Sequence, residues 1–343
     1  MHLLLVKHME IRRIQVTGGS SYVITLPKEW IKSLNIKKND PLGILMQPDG
    51  TLLITSKMTQ DQTHRIKEFD ISRIPKPSYL SRRLIGAYIA GYSSIKIRSP
   101  NRMPPEIREV ISKFTETTIG QEVVEETDST IILKDLLNPI EMPFDRTIKR
   151  MHIIVKNMQE DAIKALKNKN KTLVTDIISR DNDVDRLHWL VARQHNIIMK
   201  NISMAEKMNI TIGMSSTCFL ISRIIERIGD HVVRISQHMA KLIDKDIDEE
   251  IITHIEQGSM LSLTLFNNSI GSFFKKNIVS SNENIEAVAE LEALCEKINA
   301  LALQKRGALA ISVGYIVDSI RRIGEYATDI SETVINYLVD EQK

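Results

Sequence analysis

The 343-residue sequence predicts a multidomain protein, with a small β domain, then a small α/β module and finally all-α tandem three-helix bundles. Three observations favour this fold class. The chain is long for one hydrophobic core and suggests two or three domains. Segments 221–236 and 316–331 repeat one pattern, each with Arg-Ile-Gly before an acidic residue. Aromatic residues make up only 5% of the chain, while Ile, Leu and Met are plentiful, which favours helix packing over a β-sandwich.

Residues 9–56 are predicted to form two hairpins with a short helix between them. Residues 18–21 provide a turn in the first hairpin, and residues 47–50 provide one in the second. Pro27 stands just ahead of the helical segment 28–34, and its fixed φ angle suits a helix start. A domain of this size buries little surface alone, so we expect it to dimerise.

The α/β module is predicted over residues 78–138, after a polar segment, 57–77, that ends in Pro-Lys-Pro and is interpreted as a linker. Helix and strand patterns alternate in the module. The expected elements are a helix around 79–92, a strand at 94–98, a helix from Pro104, and strands near 121–126 and 129–134. The module carries no chemical signature, and its role is not predicted.

Two three-helix bundles are predicted over residues 143–242 and 248–340, where the apolar period becomes helical. The residues of the first stripe step by three and four: Ile148, Met151, Val155, Met158 and Ala162. Each bundle then offers an acidic helix, about 171–202 in the first and 283–304 in the second, followed by the repeated Arg-Ile-Gly helix.

The bulk properties predict a cytoplasmic protein without membrane insertion. A formal net charge of +3 is too small to identify a nucleic-acid binder. Cys218 and Cys295 support neither a disulfide framework nor a zinc site, which fits a reducing compartment. The opening segment is too short for a signal peptide, and no segment approaches the roughly 18 apolar residues of a membrane helix.

Two acidic pairs in the first bundle predict a metal site. Glu226 and Asp230 stand four apart, and Asp181 and Asp185 have the same spacing on the preceding helix. Residues at i and i+4 share one face, so packing of the two helices would bring four carboxylates together. A cation would offset their repulsion, and hard oxygen ligands suit Mg²⁺, Ca²⁺, Mn²⁺ or iron, with zinc tolerated. The ordinary alternative is a solvated acidic face or a set of partners for nearby Lys and Arg.

The second bundle carries a doubtful second metal site. Its acidic residues are Glu292, Glu296, Glu325 and Asp329. Arg321 occupies the place of Glu226, so the first acid of the repeated segment is lost. Asp329 could restore a four-residue pair with Glu325. Arg321 could equally supply the positive charge that a metal supplies in the first bundle.

A carboxylate-bridged metal enzyme is the alternative class of protein. Di-iron enzymes in helical bundles carry Glu-x-x-His on two helices. The chain has only one approximation to that motif, Asp185-x-x-His188. It also lacks a P-loop, a nucleophile elbow and a dinucleotide fingerprint. We therefore predict that the protein is not an enzyme.

The C-terminal part, about 143–340, resembles the PhoU family of phosphate-uptake regulators. The motifs that carry the resemblance are Asp181-x-x-x-Asp185, Glu226-Arg-Ile-Gly-Asp230-His and Arg322-Ile-Gly-Glu325. The resemblance implies paired three-helix bundles whose acidic motifs carry metal clusters. It also implies a negative regulator of phosphate uptake that acts through a phosphate ABC transporter and its signalling kinase. Arg321 departs from the acidic pattern, so a cluster in the second bundle is not implied.

The N-terminal segment resembles the AbrB/SpoVT-type DNA-binding domains. The residues that carry this resemblance are Arg12-Arg13, Gly18-x-Ser20, Val23-x-x-Leu26-Pro27-Lys28-Glu29 and Leu34-x-Ile36-x-x-x-Asp40. It implies a homodimer with a swapped-hairpin β domain, in which Arg12, Arg13 and Lys28 contact DNA. Asn39 stands where the family usually has glycine, and asparagine tolerates a positive φ. Related domains also serve only for dimerisation, so a transporter adaptor that binds no DNA is the alternative.

Overall fold

The computed structural model describes residues 10–46, 50–56, 65–74, 76–201, 203–305 and 307–341. Met9, residues 47–49 of the predicted second turn and residues 57–64 of the predicted linker lie outside the described residues. The chain divides into two units, residues 1–63 and 64–343. The predicted order of a small β domain, an α/β module and a helical body is confirmed.

The first unit consists of two antiparallel hairpins and a short helix, as predicted. Its elements are β1 (Gln15–Thr17), β2 (Ser21–Val23), α1 (Lys28–Ser33), β3 (Gly43–Met46) and β4 (Leu52–Thr55). Gly18 and Gly19 form the first turn with φ angles of 65° and 84°, which only glycine adopts readily. Asn39 has a φ of 70°, so the expected turn forms with asparagine in place of glycine.

The described side chains of the first unit form no buried core. Those placed in the structure are exposed or half-buried. The large apolar side chains exposed here include Ile11, Ile14, Val16, Tyr22, Ile24, Ile44, Met46 and Leu52. So much exposed apolar surface on so short a unit favours association with another chain. The exchange of hairpins between two chains stays a prediction.

The α/β module (residues 66–135) is a four-stranded sheet with two helices. Its elements are β5 (Ile66–Asp70), α2 (Pro77–Ile89), β6 (Ser94–Arg98), α3 (Pro105–Thr117), β7 (Gln121–Glu126) and β8 (Thr130–Asp135). The strand order is β5-β6-β8-β7, and only β5 and β6 are parallel. The core of the module includes Phe69, Tyr88, Ile95 and Leu133.

The interpretation of residues 57–77 as a linker is wrong for residues 66–70, which form β5. Phe69 of this strand is 3% exposed and packs in the core of the module. A parallel partner is reached through a helix rather than a tight turn, so no turn signal marks such a strand in the sequence.

The helical body contains eight helices within the described residues. They are α4 (Phe144–Lys167), α5 (Lys171–Lys200), α6 (Ser203–Lys207), α7 (Ile212–Leu242), α8 (Glu249–Lys275), α9 (Ile278–Glu286), α10 (Val288–Leu303) and α11 (Ala308–Glu341). The predicted apolar stripe of α4 is buried, which confirms it. The acidic helix expected over 283–304 is divided at Ala287 into α9 and α10.

The two bundles share one hydrophobic core. A single cluster of buried residues extends from Phe144 to Leu338 and includes residues from both bundles. The repeated Arg-Ile-Gly helices, α7 and α11, pack against each other. They run antiparallel, because His231 contacts Tyr326 while the later His238 contacts the earlier Tyr315. The duplicated halves therefore stabilise each other. No helix among the described residues has the length and apolarity to span a membrane.

The glycine of the second repeat, Gly324, permits close packing between helices. A Cβ at this position would overlap Cδ2 of Leu291, which is fully buried, and would lie 3.5 Å from Cδ1 of Leu265. Gly314, ten residues earlier on the same helix, has no neighbouring atom within 4 Å of such a Cβ. The two glycines therefore form a matched pair.

We expect Gly324→Ala to lower the free energy of unfolding by about 1–2 kcal/mol, because overpacking outweighs the gain in helix propensity. Gly314→Ala should instead raise it by about 0.5–1 kcal/mol, because only the propensity gain applies. Urea denaturation followed by circular dichroism measures both. Equal stabilisation by the two substitutions would contradict the close packing at Gly324.

A buried arginine joins the α/β module to the helical body. Arg193 of α5 is 3% exposed, and its Nε donates a hydrogen bond to Oδ2 of Asp135 over 2.9 Å. Its Nη1 and Nη2 donate to the carbonyl oxygens of Tyr88 and Tyr92. Trp189, one turn earlier on α5, packs against the core of the module. We call this set of contacts the Arg193 junction.

Candidate metal centre

The four acids predicted as metal ligands lie on two helices that pack together. Asp181 and Asp185 are on α5, while Glu226 and Asp230 are on α7. The neighbouring apolar positions of both helices are buried: Val184, Leu187, Ile225 and Ile228. This burial holds the acids at the edge of the core, where Asp181, Asp185 and Glu226 are half-buried and Asp230 is more exposed.

The four acids form one electrostatic group. Burial raises the pKa of Asp181 to about 7, and the charges of Asp185, Asp230 and Glu226 add to this rise. Burial raises the pKa of Asp185 to about 6, with a further contribution from Asp230. Burial likewise raises the pKa of Glu226 to about 7, and the charges of Asp230 and Asp185 raise it further. The structure thus brings the predicted set together closely enough for mutual repulsion.

Arginines surround the group without neutralising it. Arg223 and Arg227 lower the pKa of Glu226 in part, and Arg234 and Arg227 oppose the rise that burial causes in the pKa of Asp230. All three arginines are exposed. Within the described part of the chain, none of the four acids forms an ion pair or a hydrogen bond. The group therefore carries negative charge that no side chain compensates by contact.

The four carboxylates are suitable donors for a hard cation, but their side chains are not arranged around a common point. Carboxylate oxygens are the ligands that Mg²⁺, Ca²⁺, Mn²⁺ and iron prefer. As the side chains lie, no group of three or more His, Cys, Asp or Glu residues among those described is arranged to hold a metal ion. Ligation would require the carboxylates of α5 and α7 to converge.

Gly229 gives Asp181 its place in the group. A Cβ on this residue would lie 3.1 Å from Oδ1 of Asp181 and 3.6 Å from Cγ2 of Val155. The first glycine of the repeat therefore leaves room for an acidic side chain. Its counterpart, Gly324, makes the same space for the apolar Leu291.

The second acidic set is arranged differently. Oε1 of Glu325 pairs with Arg321 over 3.1 Å, and Oε2 pairs with Arg322 over 2.8 Å. Glu292 and Glu296 of α10 are exposed. Arginine thus supplies positive charge at the position where the first bundle has Glu226.

Asp329 completes the second set at the surface. It is largely exposed. Partial burial of its carboxyl group raises its pKa, as do the charges of Glu332 and Glu325, while Arg227 opposes the rise. A metal at the second set stays a prediction, on a site with less uncompensated charge than the first.

The histidines near the first set make aromatic contacts. His188 lies on α5, stacks on Phe219 and has its Nδ1 3.0 Å from Oγ of Ser222. Burial lowers the pKa of His188 to about 4, so the ring is neutral at pH 7. His231 lies against Tyr326 of α11. The histidine of the Asp185-x-x-His188 motif therefore contacts Phe219 and Ser222 of α7.

The residues predicted to contact DNA are on the first unit. Arg12 and Arg13 precede β1, and Lys28 is the first residue of α1. All three are exposed, and Arg12 pairs with Glu10.

Arg193 was not predicted from the sequence, because its importance depends on Asp135 and on a carbonyl oxygen at the end of a helix distant in the chain.

The chain matches two protein families. Residues 148–239 match the PhoU domain, and residues 15–61 match the family described as antidote-toxin recognition MazE, bacterial antitoxin. The first match contains the four candidate ligands Asp181, Asp185, Glu226 and Asp230. The second contains Lys28 and the two hairpins. The N-terminal resemblance is thus to a domain of the MazE/AbrB type.

Two known proteins are similar to more than half of the chain. The chain is 20% identical over 195 residues to the phosphate-specific transport system accessory protein PhoU homolog 1 of Thermotoga maritima, a match that covers 55% of this chain and 82% of that protein. It also aligns with the crystal structure of the phosphate transport system regulatory protein PhoU from Streptococcus pneumoniae. That alignment has a TM-score of 0.50 and 16% identity, and it covers 58% of this chain and 94% of the other. The chain therefore carries a PhoU domain in its helical body and a MazE/AbrB-type domain in its first unit.

Proposed function

We propose that the protein is a cytoplasmic regulator of phosphate uptake and intracellular phosphate homeostasis, with a cation-binding helical body and a DNA-binding first unit. The observation that carries this proposal is the group of four uncompensated carboxylates inside the PhoU domain. The similarity to an accessory protein of phosphate-specific transport supports the link to a phosphate ABC transporter and its signalling components. On this proposal the protein is not an enzyme.

In the helical body, Asp181, Asp185, Glu226 and Asp230 would hold the cation. A bound divalent or iron-type ion would supply positive charge that offsets the repulsion between these carboxylates. The chain's own part is to hold the carboxylates half-buried, where their charges interact strongly, and to keep arginines outside contact distance. In the metal-free protein, protons on the acids with raised pKa values relieve the repulsion in place of the cation.

In the first unit, the exposed apolar side chains would form the interface of a homodimer. Arg12, Arg13 and Lys28 would then contact the phosphates of DNA upstream of phosphate-uptake genes. The exposure of all three supports this role, and the MazE-type match over residues 15–61 includes Lys28. The dimeric head would couple phosphate status to transcription.

The cation proposal predicts that Glu226→Gln combined with Asp230→Asn lowers cation affinity at least about 100-fold, because half of the charged donors become neutral. Elemental analysis of purified protein and calorimetric titration with Mg²⁺, Ca²⁺ and Mn²⁺ measure the loss. Circular dichroism should show an intact bundle. Glu249→Gln combined with Glu250→Gln, two exposed acids at the start of α8 outside both acidic sets, is the control and should keep wild-type affinity. A wild-type protein that binds no cation in either assay would refute the proposal.

The DNA proposal predicts binding that weakens steeply with salt, because phosphate contacts release counterions. Each of the substitutions Arg13→Ala and Lys28→Ala should weaken binding to all sequences and reduce the salt slope by about one. Arg150→Ala, an exposed arginine of α4, is the control. Absence of binding to upstream DNA at low salt would favour the transporter adaptor, whose first unit only dimerises.

A further inference from the structure

The α/β module is fixed to the helix that supplies half of the candidate cation site. We propose that the module serves to report the occupancy of that site, with α5 as the connecting element. Asp185, Trp189 and Arg193 follow one another at intervals of one turn along α5. Each interval is about 6 Å of helix rise. The inference rests on the proposed cation site, and its experiment includes an arm that needs no cation.

The Arg193 junction is built so that the module follows α5. The guanidinium of Arg193 is enclosed by the Asp135 carboxylate and by two carbonyl oxygens of the module. Its Cζ lies 4.9 Å from the centre of the Tyr88 ring. A buried pair of this kind is costly to break, because either partner alone is an uncompensated charge. Movement of α5 is therefore passed to the module rather than absorbed between them.

A second contact ties α5 to the segment that follows the module. Nε2 of Gln194 donates hydrogen bonds to the carbonyl oxygens of Pro139 and Met142, over 3.0 and 2.8 Å. Gln194 is 1% exposed. Together with Arg193, it holds the C-terminal half of α5 against residues on both sides of β8.

Closer to the acids, α5 and the module are separated by a cleft. A cleft of about 560 Å³ separates α3 of the module from α5. Glu109 and Lys113 of α3 line it on one side, and Asp183 and Arg186 of α5 line it on the other. Acidic and basic groups thus occur on both walls, and in the described part of the chain Glu109 and Lys113 form no ion pair. The module is anchored at Arg193 and has room to tilt beside the acids.

We expect occupancy of the site to displace α5. Oxygen ligands lie about 2.0–2.6 Å from Mg²⁺ or Ca²⁺. No such arrangement of acids exists among the described residues, so the carboxylates of α5 and α7 must approach each other. Packed interiors shift as blocks between discrete positions, because they have little free volume. The shift would change the packing of Trp189 and the width of the α3–α5 cleft.

Trp189 is a native reporter of this shift. The chain has two tryptophans, so Trp30→Phe leaves only the one at the junction. We expect addition of Mg²⁺ or Ca²⁺ to change the emission maximum of Trp189 and to alter amide hydrogen exchange in α3 by a factor on the order of 5. Cation binding by calorimetry with unchanged emission and unchanged exchange in α3 would overturn the inference.

The arm without cation separates the two proposals. In metal-free protein, Asp181→Asn combined with Asp185→Asn removes repulsion and should move Trp189 emission in the same direction as the cation does. Glu249→Gln combined with Glu250→Gln, which neutralises two exposed acids at the start of α8, should leave it unchanged. If wild type binds no cation but the neutralised variant shifts both readouts, the cation proposal fails and the coupling stands. If the neutralised variant shifts neither readout, the coupling fails.

Discussion

Arg193→Ala is expected to lower the free energy of unfolding by about 4 kcal/mol, since it leaves a buried carboxylate without its partner. The side chain of Asp135 is 9% exposed, so water cannot replace the guanidinium. The carbonyl oxygens of Tyr88 and Tyr92 lose their hydrogen bonds from Arg193 as well, and that of Tyr88 keeps the backbone N–H of Gly91 as a donor. The loss of these two hydrogen bonds adds to the cost.

Chemical denaturation followed by circular dichroism measures this effect. Arg150→Ala removes an exposed arginine of the neighbouring helix α4 and should change stability by less than about 0.5 kcal/mol. The double variant Arg193→Ala with Asp135→Asn should be less damaged than the single one, because the isolated charge is gone. A loss below about 1 kcal/mol in Arg193→Ala would show that the junction is not tightly packed.

The metal-free protein should lose about 3 kcal/mol of stability between pH 5 and pH 8 through its first acidic set. The pKa values of Asp181 and Glu226 are both raised to about 7 by burial and by neighbouring carboxylates. The folded state then binds more protons than the unfolded state between about pH 4 and pH 7. Stability from these groups is present below that window and falls as pH rises through it. We expect the loss of stability to be smaller than the sum that the two separate pKa shifts would give, because the acids titrate together and are partly hydrated.

Denaturation at several pH values in the presence of a chelator tests this linkage. Acids elsewhere, such as Asp161, have lowered pKa values and act in the opposite direction. The decisive quantity is therefore the difference between wild type and Asp181→Asn combined with Glu226→Gln. The variant should be the more stable protein at pH 8, and its advantage over wild type should be smaller at pH 5. A difference that stays constant with pH would contradict the prediction.

Local rules account for what the sequence predicted well. The stripe of α4 and the acid spacings on α5 and α7 follow from the 3.6-residue period, which needs no knowledge of partners. The turn at Gly18 and Gly19 likewise depends on adjacent residues only.

Non-local contacts account for what the sequence did not predict. β5 was not predicted, because its partner strand β6 follows a helix. The polar residues around Phe69 also do not form an apolar pattern typical of a buried strand. Arg193 was missed because its partner, Asp135, is 58 residues away, and nothing in the local sequence marks a buried charge. The ion pairs of Glu325 with Arg321 and Arg322 can be identified only from the side-chain positions. The sequence indicated only that Arg321 could supply positive charge to this set.

The exposed apolar side chains of the first unit have a consequence for the abundance of the protein. If its apolar side chains are covered only by another copy of the chain, its folding depends on protein concentration. Dilution would then unfold the unit while the second unit, with a core of its own, stays intact. Occupancy of a DNA site would rise more steeply than in proportion to the number of chains in the cell, so synthesis rate itself would act as an input to the regulator.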